Sequence, residues 1–267
     1  MTMGNKNNVL QWDCVSAGYS SVPVFQELKL SIGSGLTVVT GPNGSGKSTL
    51  LRSAAGIIAA RQGRILLNGQ DIRSFGRRAL ARQIAFLPQI REIPDMTVES
   101  LVLHGRYPHL SWDHRLRPQD RECAGQAMAD MGIWEYRTRN LRMLSGGERQ
   151  KAYLAMAIAQ DTQWLLLDEP TTFLDIRQQF EILARICMFV HEGKNVVLIL
   201  HDLPQALELE GDIVVLERGC VRFSGTADKL YESGLIQSVF GVLPYRFIAF
   251  GHMAYHFRPL HGDEGMQ

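Results

Sequence analysis

The chain is 267 residues long and 45% hydrophobic, enough for a sizeable core in one large α/β domain or two modest ones. Lys and Arg total 28 against 27 for Asp and Glu, so a net charge of +1 gives no electrostatic case for a nucleic-acid surface. The four cysteines, Cys14, Cys123, Cys187 and Cys220, form no C-x-x-C pair, which argues against a disulfide framework or a cysteine metal site and suits buried thiols in a reducing cytosol.

Residues 1–8 are polar and lack the apolar core of a secretion signal, and no apolar run is long enough to span a bilayer. A chain neither secreted by a standard signal nor embedded in a membrane is expected. Residues 9–32 alternate in polarity and carry turn residues at Gly18, Ser20, Ser21 and Pro23, the pattern of an antiparallel β portion beside a main sheet. The apolar run 36–39 reads as a buried strand, and it runs into Gly41, Pro42, Asn43, Gly44, Ser45, Gly46, Lys47, Ser48 and Thr49, a full G-x-x-x-x-G-K-[ST] pattern. A glycine-rich turn between a strand and a helix over 48–55 points backbone N–H groups inward and adds the positive end of the helix dipole, a cup for phosphate oxygens. Lys47 is placed to reach the β- and γ-phosphates, and the Ser48 hydroxyl to take one coordination position on Mg²⁺.

Runs 65–67 and 84–87 also read as buried strands. Residues 90–142 have no clear strand run and contain helix-compatible stretches at 97–104 and 118–131, which together suggest a helical subdomain inserted into the core. Ser145, Gly146 and Gly147 precede a helix over 148–159 and make a second anion nest with a hydroxyl donor. The run 164–167 ends in Asp168 and Glu169, two carboxylates at a strand end, the first suited to Mg²⁺ and the second to acting as general base on water. A helix over 176–191, a strand over 196–200 ending at His201, and a strand over 213–216 complete an α/β sheet covered on both faces. The histidines at 104, 109 and 114 (His104, His109, His114) and at 252, 256 and 261 (His252, His256, His261) lack partnering carboxylates or cysteines at ligand spacing, so no metal site is expected there.

Leu144-Ser145-Gly146-Gly147-Glu148, upstream of Asp168-Glu169 and downstream of a complete phosphate loop, resembles the signature motif of the ATP-binding cassette (ABC) ATPases. The resemblance runs from about residue 9 to residue 240. It implies a P-loop NTPase (RecA-like) α/β fold with an N-terminal antiparallel β subdomain and an inserted helical subdomain. The domain would span 1–250: core and β subdomain at about 1–89 and 160–240, helical subdomain at about 90–159, and an extension at 241–267. ATP and Mg²⁺ are the implied ligands. Gln89 resembles the glutamine of the loop that links nucleotide state to the membrane partner, and joins Ser48 and Asp168 as an expected Mg²⁺ ligand. His201 resembles the switch histidine at the γ-phosphate, so Lys47, Gln89, Glu169 and His201 form the expected catalytic set. Tyr19 sits where the family places an aromatic that stacks on adenine. Thr171-Thr172-Phe173-Leu174-Asp175 occupies the position of the loop usually written Ser-Ala-Leu-Asp; it keeps Asp175 but differs in its first residues.

In this family two subunits sandwich two ATP molecules, each between the phosphate loop of one copy and the signature residues, here Ser145, Gly146 and Gly147, of the other. A homodimer is therefore implied. The segments Arg78 to Gln89 and Thr97 to His109, most sharply Gly105-Arg106-Tyr107-Pro108-His109, and the tail Leu235 to Gly241 resemble the group that imports iron chelates (siderophores), haem and cobalamin. That group implies a subunit at the inner face of the bacterial membrane, working with separate permease subunits and, indirectly, a substrate-binding protein, without nucleic acid. The alternative is an ABC ATPase acting on DNA in repair or on chromosomes. Such proteins carry a long coiled-coil insertion between the motifs, whereas 90–142 is compact and has no heptads.

Overall fold

The computed structural model describes residues 8–19, 22–89, 93–112, 115–249 and 251–260. Ser20, Ser21, Ile90, His114 and His261, used above, lie outside the described residues. The chain begins with β1 (Leu10–Ala17), β2 (Phe25–Ile32), β3 (Leu36–Thr40) and α1 (Lys47–Ala54), then β4 (Gln62–Leu67), β5 (Gln70–Asp71), α2 (Arg77–Ala81) and β6 (Ile84–Leu87). Three helices follow, α3 (Val98–His104), α4 (Pro118–Asp130) and α5 (Gly146–Ala159). Alternation resumes with β7 (Trp164–Asp168), α6 (Ile176–His191), β8 (Asn195–Ile199), α7 (Leu203–Glu208) and β9 (Asp212–Glu217). Last come β10 (Cys220–Thr226), α8 (Ala227–Glu232), α9 (Leu235–Phe240), β11 (Val242–Ala249) and β12 (His252–Pro259).

Among the described residues the strands form three sheets. The main one has the order β10-β9-β3-β8-β7-β6, parallel from β9 to β6 with β10 antiparallel at the edge. The second, β2-β1-β4-β5, is antiparallel, and β11 with β12 make a separate hairpin. The continuous apolar runs of the main sheet follow from burial on both faces. Side chains alternate across a strand. In β7 Trp164 and Leu166 face one core, packed with α1 and the antiparallel sheet, while Leu165 and Leu167 face another, packed with α3 to α6. Likewise Val197 and Ile199 of β8 divide from Val196 and Leu198.

Two expectations change, for the run 65–67 and for the cysteines. The run 65–67 is part of β4, which pairs antiparallel with β1 in the second sheet. Its residues alternate between exposed Arg64 and buried Ile65 and Leu67, the one-faced pattern of a sheet with a solvated side. Within the extension, β11 and β12 form a hairpin, whose Tyr255, Phe257 and Val242 pack with α7, α8 and α9 in a third, smaller core. The cysteines are not buried: Cys14, Cys123 and Cys187 are half-exposed and Cys220 is on the surface, all with free thiols.

A parallel sheet collects the carboxyl ends of its strands on one edge, where ligands of open α/β sheets bind. Here that edge carries Gly41 after β3, Asp168 at the end of β7, Gln89 two residues beyond β6 and His201 two beyond β8. The antiparallel sheet is tied to the same region. Trp12 of β1, 2% exposed, donates its indole N–H to Ser53 Oγ on α1 at 3.0 Å, so the helix that starts at Lys47 is held from behind.

Candidate functional site

The loop from Gly41 to Gly46 is held tightly. Gly41 has φ 145°, and a Cβ there would stand 2.0 Å from the Leu216 carbonyl oxygen, so only glycine fits between β3 and β9. Gly46, φ 103°, is the N-cap of α1 and turns the chain into the helix. Lys47, 6% exposed, donates to the carbonyls of Gly41 at 2.9 Å and Pro42 at 3.0 Å. Burial lowers its pKa from the usual lysine value, and the carboxylates of Glu169 and Asp168 work against that shift.

Ser48 Oγ donates to Asp168 Oδ1 at 3.0 Å, across from the end of β7. Asp168 is 1% exposed, and its Oδ2 has no hydrogen-bond partner among the described residues; Ser45 Oγ is likewise buried and unpartnered. Burial raises the Asp168 pKa above the ordinary carboxylate value and neighbouring Glu169 adds to the rise, while the Ser48 hydroxyl, Arg52 and Lys47 oppose it. A buried carboxylate oxygen without a partner is costly unless something satisfies it. A hydroxyl and a carboxylate joined at 3.0 Å are a donor set that suits Mg²⁺, a hard cation that takes oxygen ligands.

Glu169 is the centre of the site. It has φ 51°, uncommon for a residue with a side chain, and is 6% exposed. Its Oε2 accepts from Gln89 Nε2 and from Thr172 Oγ1 at 3.0 Å, and its Oε1 faces His201 Nε2. Strand ends of β6, β7 and β8 thus bring Gln89, Glu169 and His201 into one cluster. A cleft of about 550 Å³ is lined by Tyr19, Val24, residues 43–49, Arg52, Gln89, Glu169 and His201. Tyr19 is 62% exposed at its mouth, where Arg52 donates to its hydroxyl and lies over its ring.

The second anion nest stands apart. Ser145 caps α5: its Oγ accepts from the Glu148 N–H at 3.3 Å, and the Glu148 carboxylate accepts from the Ser145 N–H at 2.8 Å. Those bonds hold the Glu148 carboxyl below its usual pKa. Gly146 lines a neighbouring cleft of about 240 Å³ with Gln150, Thr172 and Phe173, which shares Gln89 and Glu169 with the first. Ser145, Gly147 and Asp175 line neither cleft. Asp175 is an exposed N-cap of α6, its Oδ1 accepting from Gln178 N–H at 2.8 Å.

Sequence reasoning missed Thr172 and Arg52. Thr172 reaches Glu169 only because of the turn that follows β7, in which Thr172 N–H donates to the Glu169 carbonyl. Arg52 had a readable signal, since it lies four residues after Ser48 on the same helix face. Among the described residues no group of three or more His, Cys, Asp or Glu side chains could hold a metal ion by itself.

The sequence profile described as ABC transporter matches residues 25–172. The chain is 37% identical to the iron(3+)-hydroxamate import ATP-binding protein FhuC of Bacillus subtilis (strain 168), over 88% of each chain. It is 40% identical to the petrobactin import ATP-binding protein FpuC of Bacillus anthracis, over 81% of each. A solved structure described as an inward-facing, metal-chelate type ABC transporter superposes with a TM-score of 0.82 at 26% identity, covering 96% of this chain and 98% of that one.

Proposed function

This chain belongs to the ABC transporter family, and from that premise we propose that it is the ATP-hydrolysing subunit of an importer for iron–siderophore complexes or related metal chelates. The observation that carries the ATPase reading is Glu169, buried beside the phosphate loop and held at both carboxylate oxygens by Gln89, Thr172 and His201. The chelate reading rests on the relatives, whose names are those of hydroxamate and petrobactin import proteins.

Each residue has a role in this reading. Lys47 and the N–H groups of the loop bind the phosphates, and Tyr19, steadied by Arg52, stacks on the adenine. Ser48, Asp168 and Gln89 would hold Mg²⁺, which supplies charge neutralisation at the β- and γ-phosphates. Glu169 takes a proton from the attacking water, and His201 contacts the γ-phosphate. Gln89 and His201 keep the Glu169 carboxylate aimed until substrate enters.

The signature residues are the reason for a dimer. Ser145 and Gly147 line neither cleft of their own copy; in this reading they reach a nucleotide held by a second copy, and ATP closes the pair through contacts absent from the open state. Asp175 is the exposed N-cap of α6, whose Gln178 side chain lies against Gly147. The dimer works on permease subunits at the inner face of the bacterial membrane, which a substrate-binding protein supplies; no helix of the described residues is long and apolar enough to cross a membrane.

Co-purification tests the assignment. Detergent-extracted permease from the neighbouring reading frames is expected to retain this chain and to raise its ATP hydrolysis. A chain that is wholly lost on washing, with turnover unchanged by the permease, overturns the transport reading.

A further inference from the structure

Helix α5 starts at the exposed signature and ends in a crowded knot. With 14 residues at about 1.5 Å each it is about 21 Å long. Gln160 is its C-cap. The Gln160 side-chain Nε2 donates to the carbonyls of Ala81 at 2.6 Å and Ile84 at 3.1 Å, while its own carbonyl accepts from His109 Nε2 at 2.8 Å. The preceding carbonyl, of Ala159, accepts from Arg106 Nη1 at 2.8 Å, and Arg106 pairs with Asp120 of α4 at 3.0 Å, both nearly buried. At Gly105 a Cβ would stand 2.2 Å from the Met156 carbonyl oxygen, so α3 crosses α5 without a side chain between them.

The end of α5 is therefore bound into one body with α3 and α4, and the Gln160 carboxamide ties that body to β6. Two residues after β6 comes Gln89, which touches Glu169. We propose that Gln160 is a positioning residue for ATP hydrolysis, joining the far end of the signature helix to the strand that leads to Gln89. The inference rests on the ATPase reading above. With the pin at one end, a rotation of about 10° would carry the Ser145 end by about 4 Å, while the hydrogen bonds to Ala81, at the end of α2, and to Ile84, at the start of β6, keep the entry to β6 and the helix moving together. The tilt of the signature and the placement of Gln89 are then coupled through Gln160, beside the bonds of Arg78 and Arg82 to the Tyr107 and Pro108 carbonyls.

Steady-state ATP hydrolysis of the full chain, expressed per titrated ATP site, tests this with two variants. Gln160→Leu keeps the volume and removes both donors. It is expected to leave the KM for ATP within about twofold and to lower kcat per site about tenfold. Gln160→Glu presents a carboxylate to two carbonyls and regains a donor when protonated, so its kcat relative to wild type should rise about threefold or more from about pH 8 to about pH 6. His109, Arg106, Asp120, Arg82, Asp161 and Lys194 surround the same knot in both proteins, so the ratio isolates position 160. A leucine variant with wild-type kcat per site overturns the inference, as does one that loses titratable sites alone, or a glutamate ratio that is flat with pH. Absence of hydrolysis in the wild type would instead overturn the ATPase reading itself.

Discussion

A glutamate at φ 51° pays a local conformational cost of about 1–2 kcal/mol. Glu169 is kept there by the partners on both of its oxygens, and the result is a carboxylate fixed at the mouth of the phosphate loop. Glu169→Gln keeps the shape but removes the proton acceptor. Its hydrolysis rate should fall about 100-fold or more, with ATP still bound, as read by single-turnover hydrolysis and a filter-binding assay. Wild-type turnover in that variant would remove Glu169 as the base. Lys47→Ala acts earlier. It deletes a buried cation, and ATP affinity should fall about 10- to 100-fold, measured by fluorescence titration. Both residues were legible as letters at fixed spacing. Thr172 was not, because its bond to Glu169 depends on the turn after β7, and a threonine in a turn carries no mark of the partner it will find.

At the scale of elements, the apolar runs identified strands but not the sheet that would own them. β4 shows the difference: three apolar letters suit either sheet, and only pairing with β1 assigns them. The string Gly105 to His109 reads as a subgroup mark in the sequence; in the fold it is the fastening of α3 to the end of α5. Its ion pair with Asp120 makes a pH prediction. Burial by itself would raise the Asp120 pKa, but the Arg117 N–H and the Arg106 guanidinium outweigh it and hold the carboxyl below its ordinary value of 3.8. A depressed folded-state pKa gives stability that is present above the unfolded value and lost as pH falls through the folded one. Asp120→Asn, which leaves Arg106 buried against a neutral amide, should cost about 3 kcal/mol near neutrality. In urea unfolding the gap between wild type and variant should hold down to about pH 5 and shrink below about pH 4. A gap that stays constant in acid would mean the pair contributes through packing alone.

On the scale of the whole molecule, the separation of Gly146 from the first cleft is the feature with consequences. A Cβ at Gly146 would meet nothing within 4 Å, so Gly146→Asp should fold normally, and an acidic residue at the first turn of α5 suits the helix dipole. In a closed pair that carboxylate would face the phosphates held by the other copy, a like-charge contact that costs several kcal/mol. Glu169→Gln with Mg²⁺ and ATP should sediment at twice the mass of the single chain. Adding Gly146→Asp should return it to the single-chain mass without changing ATP affinity at low protein concentration. A double variant that still pairs would place the signature away from the shared nucleotide.

The motifs Gly41 to Thr49, Ser145 to Gly147 and Asp168-Glu169 were legible in the sequence alone, because each is local: contiguous residues whose spacing along the chain already carries their geometry. The class of α/β fold followed from the same local patterns, in runs buried on two faces. Tertiary structure alone decided which strand ends meet. Gln89, Glu169 and His201 belong to three strands, and only the order β8-β7-β6 makes them neighbours. The grip of Gln160 on β6 and the hairpin after residue 241 were also invisible beforehand, since a carboxamide or an alternating pair of strands finds its partner across about 75 residues or by docking on helices, distances over which sequence spacing carries no geometry.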